Sequence, residues 1–192
     1  ALFKDLNIVI GENYRKLEIV GKDGILKPLF IPNNKDLILG ESSVSPHGKY
    51  VAYTVYDSER DGSLGKYDYL KTGLSLITLS DGETREVFPR NIRAYTDIQW
   101  SADGTYFSYL IDGGDSVEIK NSTTLETALT LPSSGFRTLS PLVWIDNERF
   151  SYISENALYS GTLQNPKERL IASGVENGVA VRMAIIYLLA SK

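Results

Sequence analysis

Val44-Ser45-Pro46-His47-Gly48-Lys49-Tyr50-Val51-Ala52-Tyr53 is the stretch on which the reading of this chain turns. It returns as Trp100-Ser101-Ala102-Asp103-Gly104-Thr105-Tyr106-Phe107-Ser108-Tyr109. A third copy, one residue shorter in its middle, is Trp144-Ile145-Asp146-Asn147-Glu148-Arg149-Phe150-Ser151-Tyr152. Each copy closes one apolar run, passes through a short polar segment, and opens the next run with the pattern apolar, small, Tyr. Turn formers between β-branched and aromatic runs specify a hairpin. Recurrence of that hairpin specifies a repeat architecture. The terminal tyrosines of the three copies stand 56 and 43 residues apart. The shorter spacing is what a four-stranded propeller blade occupies, about 40–45 residues.

Working outward, the runs around each copy give four strands per unit. Unit one (37–88) has Ile38–Ser45, Tyr50–Tyr56, Leu74–Leu79 and Thr84–Phe88. Unit two (92–131) has Asp97–Trp100, Tyr106–Ile111, Val117–Lys120 and Glu126–Leu131. Unit three (138–174) has Pro141–Ile145, Phe150–Ile153, Leu158–Thr162 and Glu168–Ala172. The expected fold is all-β, a beta-propeller of four-stranded antiparallel blades running through residues 1–192. Terminal strands in 6–30 and 179–190 are expected to complete a further blade. That makes about four blades, or a portion of a larger propeller. For 179–190 a helix is the rival reading, since Ala, Met and Leu are good helix formers.

Composition narrows the function classes. Twelve Tyr against one Met and two Trp suit pleated strand surfaces. A net charge of −4 and scattered Lys and Arg argue against a nucleic-acid partner, which needs clustered cations. There is no cysteine, so disulfides, thiolate-held zinc and thiol nucleophiles are excluded. The longest apolar run, near 184–190, falls short of the roughly 20 residues of a membrane span.

The residues Ser45-Pro46-His47-Gly48-Lys49-Tyr50-Val51-Ala52-Tyr53 and Trp100-Ser101-Ala102-Asp103-Gly104 resemble the W-S-P-D-G-K-x-I-A-F signature of the TolB-like beta-propeller repeat. Asp57-Ser58-Glu59-Arg60-Asp61-Gly62 resembles the S-D-R-D-G that often follows it. The resemblance covers roughly 37–174. Val44 stands for the usual Trp, His47 for the usual Asp, and the third copy has no Gly. Similar repeats occur in the propellers of dipeptidyl-peptidase-IV-like enzymes and of oligogalacturonate lyases. The lyases rely on several histidines with a metal, whereas His47 is the single histidine here. No G-x-S-x-G nucleophile elbow accompanies the repeats. The resemblance implies a location outside the cytoplasm, periplasmic or extracellular.

One segment breaks the regular spacing. In the first unit the connection between the second and third strands is the long polar stretch Asp57–Gly73, where the other units have Asp112–Asp115 and Ser154–Asn156. In an antiparallel blade this connection lies at the same end as the linkers between blades. Tyr67, Tyr69 and Tyr95 with Arg90, Arg93 and Arg137 are therefore expected to share a surface. Tyr and Arg are the side chains enriched at interface anchors. Asp57, Glu59, Asp61 and Asp68 fall at positions 1, 3, 5 and 12 of a calcium-loop spacing, with Gly62 at the sixth. Glu at the third position and Gly65 at the ninth depart from that pattern. The rival reading is a solvated loop.

Tyr53, Tyr109 and Tyr152, with Trp100 and Trp144, are expected to pack blade on blade rather than hold a ligand. His47 is expected to be a turn residue. The function these residues point to is a non-catalytic, protein-binding propeller with no cofactor beyond the calcium just described. The alternative is the propeller portion of a peptidase or carbohydrate-active enzyme.

Overall fold

In the computed structural model the described residues are 7–11, 16–20, 25–30, 37–57, 72–91, 93–112, 114–133 and 139–173. All of their regular structure is β-strand. The first strands, β1 (Asn7–Gly11), β2 (Lys16–Val20) and β3 (Leu26–Phe30), form an antiparallel sheet in chain order. Repeat 1 is a four-stranded antiparallel sheet of β4 (Leu37–Val44), β5 (Tyr50–Asp57), β6 (Thr72–Thr78) and β7 (Thr84–Asn91). Repeat 2 has β8 (Tyr95–Trp100), β9 (Tyr106–Ile111), β10 (Ser116–Asn121) and β11 (Thr127–Pro132). Repeat 3 has β12 (Val143–Trp144), β13 (Arg149–Ser154), β14 (Ala157–Thr162) and β15 (Arg169–Ser173). This is the fold expected of the repeat.

The chain forms two compact units, Ala1–Ile98 and Gln99–Lys192, and the division falls inside β8. In the first unit, Leu17 of β2 packs with Leu39, Tyr53, Val55 and Ile77 of repeat 1, and Leu29, Phe30 and Leu37 close the cluster. In the second, Leu110, Val117, Ile119 and Leu131 of repeat 2 pack with Leu139, Leu142, Phe150 and Tyr152. Sheets thus meet face to face within each unit. Burial on both sides explains why β6 reads as a nearly continuous buried run, while β7 and β11 are largely exposed edge strands.

The repeated stretch is a turn held by its own serine. Ser45 Oγ accepts the Lys49 and Tyr50 amides at 3.1 and 3.0 Å, and Ser45 N donates to Tyr50 O. Ser101 Oγ accepts Tyr106 N at 2.9 Å, and Asp103 Oδ1 accepts Ser101 Oγ and Thr105 N at 2.9 and 3.0 Å. Gly48 and Gly104 sit at φ 62° and 71°, which a side chain would strain. The third turn is shorter and has no residue at positive φ, so it tolerates the loss of glycine. There Asp146 replaces the serine: its Oδ1 accepts Glu148 N and Arg149 N at 2.9 and 2.8 Å.

Several strand boundaries differ from the sequence expectation. β7 runs on to Asn91 because β6 begins at Thr72 and offers it a partner, Thr72 facing Asn91. Arg90 is therefore a strand residue and not part of a linker. β12 is only Val143–Trp144, since Pro141 has no N–H to donate. Before it, Ser140 pairs with Ile153 through backbone and side chain: Ser140 N donates to Ile153 O at 3.1 Å and Ser140 Oγ accepts Ile153 N at 2.8 Å. Trp100 and Trp144, expected in the interior, are each half-buried. The segment 179–190 lies outside the described residues.

Candidate interaction site

Repeat 1 has two ends of different character. At one, Ser45–Lys49 and Leu79–Glu83 are tight turns tied together by Leu79 N donating to Lys49 O. His47 is exposed in the first of these, as a turn residue should be. At the other end β5 stops at Asp57 and β6 starts at Thr72. The connection that leaves there spans 58–71. Tyr67, Tyr69, Glu59, Asp61 and Asp68 fall within it and lie outside the described residues, as does Arg137. Asp57 ends β5 with its backbone opposite Leu37.

What is described around that end is built by β7 and the segment after it. Arg90 is exposed, and its stem runs over the bare backbone of Gly73; a Cβ there would meet Arg90 Cγ at 3.0 Å. Glycine at 73 thus seats the arginine beside the root of the connection. Asn91 then turns the chain. Its Oδ1 accepts Arg93 N at 2.7 Å and its Nδ2 donates to Pro89 O at 3.2 Å and Tyr95 Oη at 2.9 Å. Arg93 is left on the exposed side. The structure therefore brings Arg90 and Arg93 to the same strand ends from which 58–71 departs.

Tyr95 is not part of an open surface. It is 1% exposed, and its ring stacks on Phe88 with centroids 5.1 Å apart and planes 10° apart. A bulky ring opening β8 gains more from burial against β7 than from water, so it anchors the segment from inside. Asn91 was not singled out from the sequence. The signal was present, since Asn readily bonds a backbone amide two residues on, but nothing in the sequence marked this Asn over others.

Glu41 supplies a second organising contact in the first unit. A register shift in β4 between Leu39 and Ser42 turns its carboxylate toward β8. The two oxygens accept Asp97 N at 2.6 Å and Ile98 N at 2.9 Å. Asp97 sits at φ 56°, a conformation this charged clamp holds in place.

The repeated tyrosines are core residues. Tyr53, Tyr109 and Tyr152 are 2%, 1% and 1% exposed. Tyr109 Oη donates to Glu118 Oε2 at 2.7 Å. Tyr152 Oη is buried with no hydrogen-bond partner among the described residues. Burial, then the negative fields of Tyr159 and Glu155, push its phenol up to about 12. Trp144 stacks on Tyr106, meets Phe150 edge-on, and donates Nε1–H to Ser108 Oγ at 3.3 Å. It is an inter-sheet wedge between repeats 2 and 3. Among the described residues no three His, Cys, Asp or Glu side chains gather in a metal-binding group.

No known protein-family model matches the sequence, and no curated protein matches it. Solved structures do match in fold. The C-terminal WD40 domain of Sif2 superposes with a TM-score of 0.60 at 14% identity, over 88% of this chain and 45% of that one. Dipeptidyl peptidase 4 of Porphyromonas gingivalis gives 0.62 at 14% identity, over 84% and 30%. A putative dipeptidyl aminopeptidase IV from Bacteroides ovatus gives 0.56 at 15%, over 85% and 30%. The fold is that of a beta-propeller. The chain spans less than half the length of each of these three structures.

Proposed function

We propose that this chain is a non-catalytic propeller module that binds another protein, acting in the periplasm or outside the cell. The observation that carries the reading is the asymmetry of repeat 1. Its 58–71 connection replaces turns that in the other repeats take only 112–115 and 155–156, and Arg90 and Arg93 stand exposed at its base. A protein interface needs about 800 Å² per partner. Short turns offer little of that area, and a long connection rich in Tyr, flanked by Arg, is suited to provide it. The side-chain oxygens of Ser45, Ser101 and Asp146 close the turns of the repeated motif.

Two peptidases among the structural neighbours favour a second reading, the propeller portion of a hydrolase. Sequencing the reading frame on both sides separates the two: a hydrolase domain downstream supports the second. The direct test compares the parent with a variant in which 59–70 is shortened to a tight turn, and with Arg90→Glu/Arg93→Glu. Partner capture from an envelope fraction should fall at least about tenfold in both while the melting curve keeps its shape. Equal capture by folded variants would remove the site from this end of repeat 1.

A further inference from the structure

Within Gln99–Lys192 a cavity of about 340 Å³ opens between the turns of repeats 2 and 3, lined by Asp103, Tyr106, Asn147, Glu148, Leu163 and Gln164. Its volume is at the lower end of ordinary ligand pockets, about 300–1,000 Å³. Two of its residues, Tyr106 and Leu163, are half-buried and pack against the hydrophobic core of that unit. The other four are exposed and polar. The cavity thus has an apolar wall and a polar mouth.

Two carboxylates, Asp103 and Glu148, stand at the mouth, and no Lys or Arg is among the described residues that line it. Asp103 is held in a fixed orientation, because Oδ1 accepts Ser101 Oγ and Thr105 N and Oδ2 accepts Thr105 Oγ1 at 2.7 Å. Burial pushes its carboxyl up, but those hydrogen bonds together outweigh it and hold the carboxyl below its ordinary range, so it is ionised at neutral pH. Glu148 uses its backbone N–H in the turn, while its carboxylate has no partner among the described residues. The nearest arginine in sequence, Arg149, is already committed: Nε and Nη2 reach Asp146 Oδ2 at 2.7 and 2.6 Å.

We propose that this cavity binds a cationic alkyl group, an alkylguanidinium or alkylammonium. That is the chemistry of an arginine or lysine side chain on a protein and equally of a free amine. The alkyl stem lies along Tyr106 and Leu163, a surface such stems cover readily. The charged head lies between Asp103 and Glu148, where charge-assisted hydrogen bonds form, and the amide oxygens of Asn147 and Gln164 take further N–H groups. The site uses residues of repeats 2 and 3 alone and does not rest on the interaction site of repeat 1.

The test titrates the whole ¹⁵N-labelled chain with three probes: N-acetylarginine amide, N-acetylcitrulline amide of the same shape without the charge, and agmatine as a free amine. The Asn147 and Gln164 side-chain amide signals report binding. The arginine probe should give saturable shifts with a dissociation constant on the order of millimolar, as a ligand of this size dictates. The citrulline probe should give none at the same concentrations. Glu148→Gln, which leaves the turn's backbone contacts in place, should weaken binding at least about fivefold, and added salt should weaken it further. Tighter binding of the arginine probe than of agmatine assigns the site to a protein side chain, and the reverse order assigns it to a small amine. Absence of saturable shifts, equal shifts with citrulline, or unchanged binding by Glu148→Gln would overturn the proposal.

Discussion

The three tyrosines at equivalent positions of the repeat make the same packing contribution with different hydrogen-bond outcomes. Tyr109 Oη donates to a carboxylate, whereas Tyr152 Oη is buried and has no partner among the described residues. Truncating the hydroxyls should therefore separate them. Tyr109→Phe should cost about 1 kcal/mol, the net worth of one such bond at a partly exposed acceptor. Tyr152→Phe should be neutral or stabilising, because it removes a buried polar atom that pays desolvation without return. Urea denaturation midpoints of the two variants check this. The same hydroxyl predicts an alkaline limb. The folded state holds Tyr152 neutral up to about 12, against an ordinary value of 10.0. Its contribution is whole below pH 10 and is lost as pH rises toward 12, because only the unfolded chain ionises in that window. Parent stability should fall there more steeply than that of Tyr152→Phe. The sequence located all three rings as core, since their spacing alone demanded equivalent positions. Which hydroxyl found a partner depends on the residue across the sheet, Glu118 in one case, and no pattern in the sequence carries that.

At the scale of the turn and strand, the sequence was most legible where one residue type is obligatory. Gly104, at φ 71°, is such a place. Gly104→Ala should cost about 1–2 kcal/mol, the penalty of a left-handed conformation for a residue with a Cβ. The β13–β14 turn is the converse. Glu155 and Asn156 occupy φ 54° and 61°, the signature of a type I′ hairpin, without the glycine that such turns favour. Asn156→Gly should raise the thermal midpoint, by an amount equivalent to about 0.5–1 kcal/mol. Asp103 and Asp146 give the turns an acid limb. For both, burial pushes the carboxyl up but hydrogen bonds from the turn, and for Asp146 also Arg149, pull it below its ordinary 3.8. A depressed value means the contribution is present above pH 4 and lost as pH falls below it. Asp146→Asn should flatten that loss in acid denaturation followed by circular dichroism. Where strand pairing depended on partners rather than on residue type, the sequence was less informative. The extension of β7 through Arg90 and the contraction of β12 at Pro141 both followed from what lay alongside.

At the scale of the whole chain, the repeat announced the all-β propeller fold, and three four-stranded sheets with a three-stranded N-terminal sheet bear it out. The candidate site was legible in outline. Connection length singled out one end of repeat 1, and the pairing of Thr72 with Asn91 brings Arg90 and Arg93 to that end. Tyr95 was misassigned because a tyrosine opening a strand looks the same in sequence whether its ring faces water or Phe88. The central claim is that a protein partner docks where the 58–71 connection leaves the sheet. Site-specific photo-crosslinking addresses it directly, with p-benzoylphenylalanine placed at Arg93 in one variant and at His47, exposed at the other end of repeat 1, in a second. The account predicts a discrete crosslinked protein from position 93 and none from position 47. The same adduct from both positions, or an adduct from 47 alone, would contradict it.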